Sequence, residues 1–356
     1  MPKVTINTIA QECNVSVGTV DRALNSRGRI NPETQRRILE AADRLGYRRN
    51  KLASALGRQR KYRIAVLCPR VPEYFFSIVE EGIREAQKDM MDYGFTIDQF
   101  YTNFLNFEEQ EAALAQINQS QYDGLVLTAS SERLTESLNR FVKAGIPVVT
   151  FNSDARDSER LFFVGEDAYK SGRLCGTLMG RMLGGQGRVA TLVSYLTPGS
   201  PSERLRGFID AMREAYPEIE LLPTQEYLER EDLAAEQISQ ITAQHGPLSG
   251  VFANSASGTV GIGRYYSQHA VENKPLLMGY DITAEVGTYL RDGVCDIIVD
   301  QNPQKQSYYG VTLLCKHLME NWTPKVDRFE IRVKLVMRDN VEDYLPECNR
   351  DQHILL

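Results

Sequence analysis

The sequence predicts two folds in one chain: a small all-α helix-turn-helix head and a large two-lobed α/β body. Three observations carry this expectation. Caps and apolar spacing mark three short helices within the first 50 residues. From Tyr62 onward, short apolar runs alternate with amphipathic stretches. The charge changes sign between the two regions. The whole chain carries −6, but residues 1–61 hold 13 Lys+Arg against 5 Asp+Glu, leaving 28 against 42 for the rest. A basic module suits a polyanion such as nucleic acid, and an acidic body is repelled by one.

In the head, Ile6, Ile9, Ala10 and Cys13 follow helical spacing with Thr5 as N-cap. Asn14 accepts the left-handed turn that ends this helix. Ser16 caps the second helix, whose apolar face reads Val17, Val20 and Leu24. "NPETQRRILEAADRLGY" opens on Asn31 as cap with Pro32 and Glu33 in the first turn, and it stops at Gly46. Its apolar stripe reads Ile38, Leu39, Ala42 and Leu45. Two short helices joined by a tight turn and braced by a third make a helix-turn-helix, whose second helix enters the major groove.

In the body, "RIAVLC", "FTIDQFY", "DGLVLTA", "IPVVTFN", "GRVATLVS", "GVFANS", "LLMGYD" and "DIIVDQN" read as strands with helices between them. Such alternation implies parallel sheets covered on both faces. Roughly 290 residues exceed one comfortable core, so two lobes are expected. Ligands of such sheets sit beyond the carboxyl ends of strands. That rule selects Phe75, Phe76, Asn152, Asp154, Arg204, Asn254, Ser255, Asp281 and Gln301. Amides, carboxylates and arginine suit hydroxyl groups, and aromatic faces suit the apolar side of a sugar ring.

Other classes are disfavoured. No apolar run approaches a membrane span, and "MPKVTINTIA" lacks a secretory core, so a cytoplasmic, nucleoid-associated protein is expected. Six cysteines without C-x-x-C and four histidines without H-x-x-x-H spacing argue against a metal, and no cofactor is expected. "GGQGR" and "GTVGIG" match neither phosphate-loop nor dinucleotide motifs, and read as turn and packing glycines.

Residues 5–57 closely resemble the DNA-binding headpiece of the lactose-repressor family. The match runs through V-S-x-x-T-V-x-R-x-L-N, the P-E-T helix start and the L-G-Y-x-x-N junction. Residues 62–356 resemble the type I periplasmic sugar-binding fold, notably its ribose-binding branch. The implied domains are 1–48, a helix-turn-helix headpiece; 49–61, a hinge helix and basic linker; and 62–356, an effector and dimerisation domain. The resemblance implies that Arg22 grips DNA, that Val17 and Gly18 help choose the bases, and that Leu56 wedges the central minor-groove step. Thr5, Ser16, Thr19, Asp21, Asn25, Arg29, Asn50 and Ala53 complete the expected DNA set. It places the ligand on Phe75, Phe76, Asn152, Arg204, Asp281 and Gln301, with Asn254 and Ser255 straddling a further position.

Four departures from the family stand out. Asp21 replaces a common serine, and either accepts from cytosine or aims a basic side chain such as Arg22. Arg49 replaces a proline. Glu73 stands for an asparagine, and Asn152 for an aspartate. The stretch "TQEYLERED" shows no counterpart of a further stacking aromatic.

The function this implies is a sequence-specific transcriptional regulator, a repressor by preference, working as a homodimer on double-stranded operator DNA. Its affinity is set by a small effector: a sugar, polyol or sugar phosphate. The alternative is a sugar-processing α/β enzyme with a DNA-binding appendage, drawing acids from Asp154, Glu166, Asp167 or Asp281.

Overall fold

The computed structural model describes residues 6–24, 30–45, 61–103, 106–197, 199–269 and 273–345. The chain divides into two compact units, Met1–Arg60 and Lys61–Leu356. Thr5, Asn25, Arg29, Gly46, Asn50, Ala53 and Leu56 lie outside the described residues, as does most of the expected hinge.

The head contains α1 (Ile6–Glu12), α2 (Val17–Leu24) and α3 (Pro32–Arg44). Asn14 takes φ +52° between the first two, as its tolerance of the left-handed region allows. The Ser16 hydroxyl accepts from Thr19 N at 3.1 Å, and the Asn31 side chain accepts from Glu33 N at 2.9 Å. The core is Ile9, Ala10, Cys13, Val20, Ala23, Ile38, Ala41 and Ala42. Two expected core positions are corrected. Val17 is 46% exposed and Leu39 is 43% exposed. Burial in α2 follows Val20 and Ala23, and in α3 Ile38, Ala41 and Ala42, so each apolar stripe is rotated away from those two residues.

The larger unit holds two sheets. In the first, β1 (Tyr62–Pro69), β2 (Phe95–Thr102), β3 (Gly124–Leu127), β4 (Val148–Phe151), β5 (Phe162–Gly165) and β12 (Arg328–Glu330) run in the order β12-β5-β4-β3-β1-β2, all parallel. In the second, β6 (Gly187–Val193), β7 (Ile219–Leu221), β9 (Gly250–Ala253), β10 (Leu276–Tyr280), β11 (Ile297–Asp300) and β13 (Lys334–Val336) run β13-β11-β10-β9-β6-β7. The short β8 (Gln225–Glu226) also pairs with β6, and β13 alone is antiparallel. Both orders reverse beside the first strand of their lobe, and a crevice opens at such switch points.

Helices cover both faces of each sheet. In the first lobe, α4 (Glu73–Met91) packs with the late helix α12 (Pro303–Glu320) over one face. Helices α5 (Phe107–Gln116) and α6 (Thr135–Lys143) close the other. In the second lobe, α7 (Ala168–Met182) and α8 (Ser200–Ala215) oppose α9 (Glu231–His245), α10 (Ala256–Gln268) and α11 (Ala284–Arg291). The chain therefore crosses between lobes three times: after β5, after β11 and after β12.

The glycine segments are structural. Gly184, Gly185 and Gly187 take positive φ in a turn. A Cβ at Gly258, Gly261 or Gly263 would strike Tyr227, the Glu231 carbonyl or Tyr289 within 2.6 Å. All five described cysteines are buried and free, and burial pushes the thiols of Cys68, Cys175 and Cys295 up to about 12. Among the described residues no group of His, Cys, Asp or Glu is placed to hold a metal, and no helix is long and apolar enough to cross a membrane.

Candidate functional site

On the head, α2 presents Ser16, Val17, Gly18, Asp21 and Arg22 on its exposed side while Val20 and Ala23 anchor it below. Positions 17, 18, 21 and 22 share one face at helical spacing. Arg22 Nε donates to the Gly18 carbonyl at 3.1 Å, and Nη2 approaches Thr19 Oγ1 at 3.5 Å. Thr19 Oγ1 is also 2.8 Å from Ser16 Oγ. The contacts of Arg22 thus run along its own helix, which holds the guanidinium against the surface that a groove would meet.

In the larger unit, the polar side chains converge where strands end. Asn152 directly follows β4 and Asp281 directly follows β10, and both are left-handed, at φ +61° and +62°. Asn and Asp tolerate this conformation better than bulkier residues, and it ends each strand abruptly. Gln301, just after β11, joins them: its Oε1 accepts from Asn152 Nδ2 at 3.0 Å, and its Nε2 donates to Asp281 Oδ1 at 2.9 Å. Gln306 supports the bridge, donating to the Gln301 carbonyl at 2.8 Å. Ser200 of the second lobe donates to the Asn152 carbonyl at 3.1 Å, so the two lobes meet at this rim.

Arg204, in α8, is buried against the Tyr280 ring, 4.2 Å from its centroid. Its Nε donates to Glu166 Oε1 at 2.5 Å and its Nη1 to the Asn254 carbonyl at 2.8 Å. Burial without an ion-pair partner of its own pushes the Asp281 carboxyl up to about 7, although Arg204 and the Gln301 hydrogen bond pull the other way. Glu229, at the end of the β8 turn, is likewise raised by burial, with Ser257 and Ser255 hydroxyls opposing that shift. Its Oε2 accepts from Ser255 Oγ at 3.0 Å and from Ser257 Oγ.

Among the described residues, Thr128 Oγ1, Ser130 Oγ and Glu166 Oε2, just beyond β3 and β5, are buried polar atoms without a hydrogen-bond partner. Native interiors leave few such groups, so each is a polar atom open to a further partner.

The expected residues fall into two groups. Asn152, Gln301 and Asp281 form one hydrogen-bonded set, and Arg204 and Ser255 meet through Asn254 and Tyr227 in another, with the Arg204 charge acting on Asp281. Asn254 braces the second set: its Oδ1 accepts from Ser194 N at 2.9 Å and Tyr227 Oη at 3.1 Å, and its Nδ2 donates to the Pro201 carbonyl at 3.0 Å. Phe75 and Phe76 pack edge to face at 5.1 Å within the first-lobe core. Asp154 is corrected. Its oxygens accept from Thr150 Oγ1 at 2.6 Å, from Arg160 at 2.5 and 2.7 Å and from Arg328 at 3.4 Å, with little of the pair exposed. Two guanidinium groups already balance it, so it secures the β4–β5 loop instead of facing a ligand. Tyr74, Glu166, Glu229 and Ser257 were not in the expected ligand set. Tyr74 sits within "PEYFF" beside two selected aromatics, and Glu229 lies in the stretch that lacked a stacking ring.

Two family models match: "Periplasmic binding protein domain" over residues 64–321 and "Bacterial regulatory proteins, lacI family" over residues 5–50. The chain belongs to the periplasmic binding protein domain family and carries a lacI-family head. Its curated relatives include the HTH-type transcriptional regulator RegA of Clostridium saccharobutylicum, 28% identical over 152 residues, or 42% of this chain and 45% of that one. The repressor PurR of Edwardsiella ictaluri is 29% identical over 247 residues, 69% of this chain and 68% of its own. The aligned part spans under half of RegA, the first of these relatives. GanP, a glucose-galactose binding protein from Geobacillus stearothermophilus, superposes with TM-score 0.73 at 24% identity, covering 79% of this chain and 99% of GanP. That likeness establishes the two-lobed fold of the body.

Proposed function

We propose that this lacI-family chain is a transcriptional regulator, not an enzyme, whose operator affinity is set by a small polyhydroxylated effector bound between the lobes. One observation carries the reading. The exposed α2 face and the Asn152–Gln301–Asp281 bridge between strand ends of the two sheets belong to one chain, so a DNA reader and a small-molecule receptor are covalently joined. Arg22, Val17 and Gly18 take the base and groove contacts, with Ser16, Thr19 and Asp21 beside them. Thr5, Asn25, Arg29, Asn50, Ala53 and Leu56 remain assigned to DNA through the family resemblance. The protein acts in the cytoplasm as a homodimer, because two heads matched to a pseudo-palindrome require a two-fold axis.

Effector binding joins Asn152 of the first lobe to Asp281, Gln301 and Arg204 near the second. A ligand that contacts both lobes favours the conformation in which they meet, and DNA affinity changes by linkage. Selection of duplexes from a random pool, followed by titration with sugars and polyols, tests this. An inverted repeat in the selected duplexes and a ligand-dependent shift in affinity are expected. Selected duplexes without an inverted repeat, or affinity indifferent to every ligand, would overturn the reading.

A further inference from the structure

The charges that gather in the cleft do not balance. Glu166, Glu229 and Asp281 bring three carboxyl groups, and among the described residues the ion pair they make is the single one between Glu166 and Arg204. Asp300, behind Asp281, is occupied by the backbone N–H of Asn302 at 3.0 Å. Glu229 lies deep in the protein yet keeps part of its surface open, as a group facing an internal space does. It is held at φ +54° by a turn and steadied by serine hydroxyls, and the cation that acts on it, Arg204, is already paired with Glu166. From the opposite lobe, Tyr74 brings a buried hydroxyl beside Ser257, close enough for the charges of Glu229 and Asp281 to act on it. Glu166 adds an unpartnered oxygen on an almost wholly buried side chain, its other oxygen being taken by Arg204.

A phosphorylated sugar would bring a dianion into this surplus of acid, with one already committed arginine to receive it. A neutral polyol can donate hydrogen bonds to Glu229 but brings no charge, and an uncompensated buried carboxylate costs several kcal/mol. A cation turns that cost into attraction, and an aromatic ring beside it adds to the effect.

Resting on the regulator reading above, we infer that the effector carries a protonated amine among its hydroxyls, as an amino sugar or an amino-substituted cyclitol does. The ammonium faces Glu229 and Tyr74, and the hydroxyls engage Arg204, Asp281, Gln301 and Asn152.

Matched probes test this by calorimetry on the full chain: D-glucosamine, D-glucose and D-glucose 6-phosphate; the galactose trio; and myo-inositol against an amino-substituted inositol. The amine of the best-binding set is expected to exceed its neutral counterpart by roughly tenfold to hundredfold. Glu229→Gln should abolish that preference, lowering the amine's affinity at least tenfold more than that of the neutral member. Tyr74→Phe is the second variant, in case the first does not fold; it should weaken the amine severalfold more than the neutral compound. A neutral or phosphorylated member that binds most tightly and shifts operator affinity overturns the amine and leaves the regulator intact. Silence from every probe overturns the amine, while the duplex selection judges the regulator separately.

Discussion

Arg22 and Arg204 are the same side chain in opposite settings. Arg22 is exposed and, among the described residues, bonds to Gly18 and Thr19 of its own helix. Arg204 is 4% exposed and bound to Glu166, the Asn254 carbonyl and the face of Tyr280. The head keeps its cation solvated and available to a polyanion, so the charge contributes little to folding. The cleft commits its cation to the fold first, and a ligand takes only the donors left over. A surface that must exchange partners stays wet, and one that must discriminate a small molecule is built dry.

The contrast can be broken most forcefully at Arg204. Arg204→Ala strands Glu166 in the interior, and a loss of about 3–5 kcal/mol of stability is expected along with effector binding. Chemical denaturation measures it, and a loss below about 1 kcal/mol would mean that the pair is not a structural element.

Asp281 sharpens the comparison through pH. Its folded pKa, about 7, lies above the ordinary value of 3.8. The folded state therefore holds the proton more tightly, and the unfolded state ionises first. Stability should fall as pH rises from about 4 to about 7 and level off above that. Asp281→Asn keeps the acceptor for Gln301 and removes the titration. Thermal melts should show the variant gaining on the wild type across that window, by on the order of 4 kcal/mol at its alkaline end. An unchanged difference between the two proteins at pH 5 and pH 8 would place the titration elsewhere.

Within the head, Ile38→Ala should cost about 2–4 kcal/mol, whereas Leu39→Ala should stay within roughly 0.5 kcal/mol. Equal effects would contradict the rotated stripe. Smallest in stability, Arg22→Ala should leave the melting curve within about 0.5 kcal/mol of wild type. It should weaken operator binding by about 1–3 kcal/mol and, if its partner is a phosphate, lower the salt slope by about one.

Much of this was legible in the sequence, for physical reasons that also explain the failures. Ser16, Asn14 and Asn31 act through local hydrogen bonds or local torsions, so a few neighbouring residues suffice to identify them. Seven of the eight expected strands lie inside their sheets, where burial on both faces calls for a continuous apolar run, and β2, at an edge, is marked by its aromatic and β-branched residues. β5, β7, β8, β12 and β13 are at most four residues long and sit at or near sheet edges, where no such run is needed. Val17 and Leu39 were misplaced because an apolar residue at helical spacing can flank a stripe as well as belong to it.

In the cleft, position at a strand end or helix start selects Asn152, Arg204, Asp281 and Gln301, and hydrogen bonds link Asn152, Gln301 and Asp281. Position could not distinguish them from Asp154, whose fate depends on Arg160 and on Arg328, the latter 174 positions away. Tyr74 and Glu229 come from different lobes, and only the assembled fold brings them near each other. Their joint chemistry is invisible in either segment alone.

The three crossings have a consequence for biosynthesis. Helix α12 and strand β12 complete the first lobe, yet the whole β6–β11 region is translated before them. A nascent chain emerging from the ribosome exposes an unfinished hydrophobic layer around Val79 and Ile83 until residues near 330 have appeared. The second lobe waits longer still, because Val336, Val341 and Leu345 belong to its core, so both halves finish only as the last described residues appear.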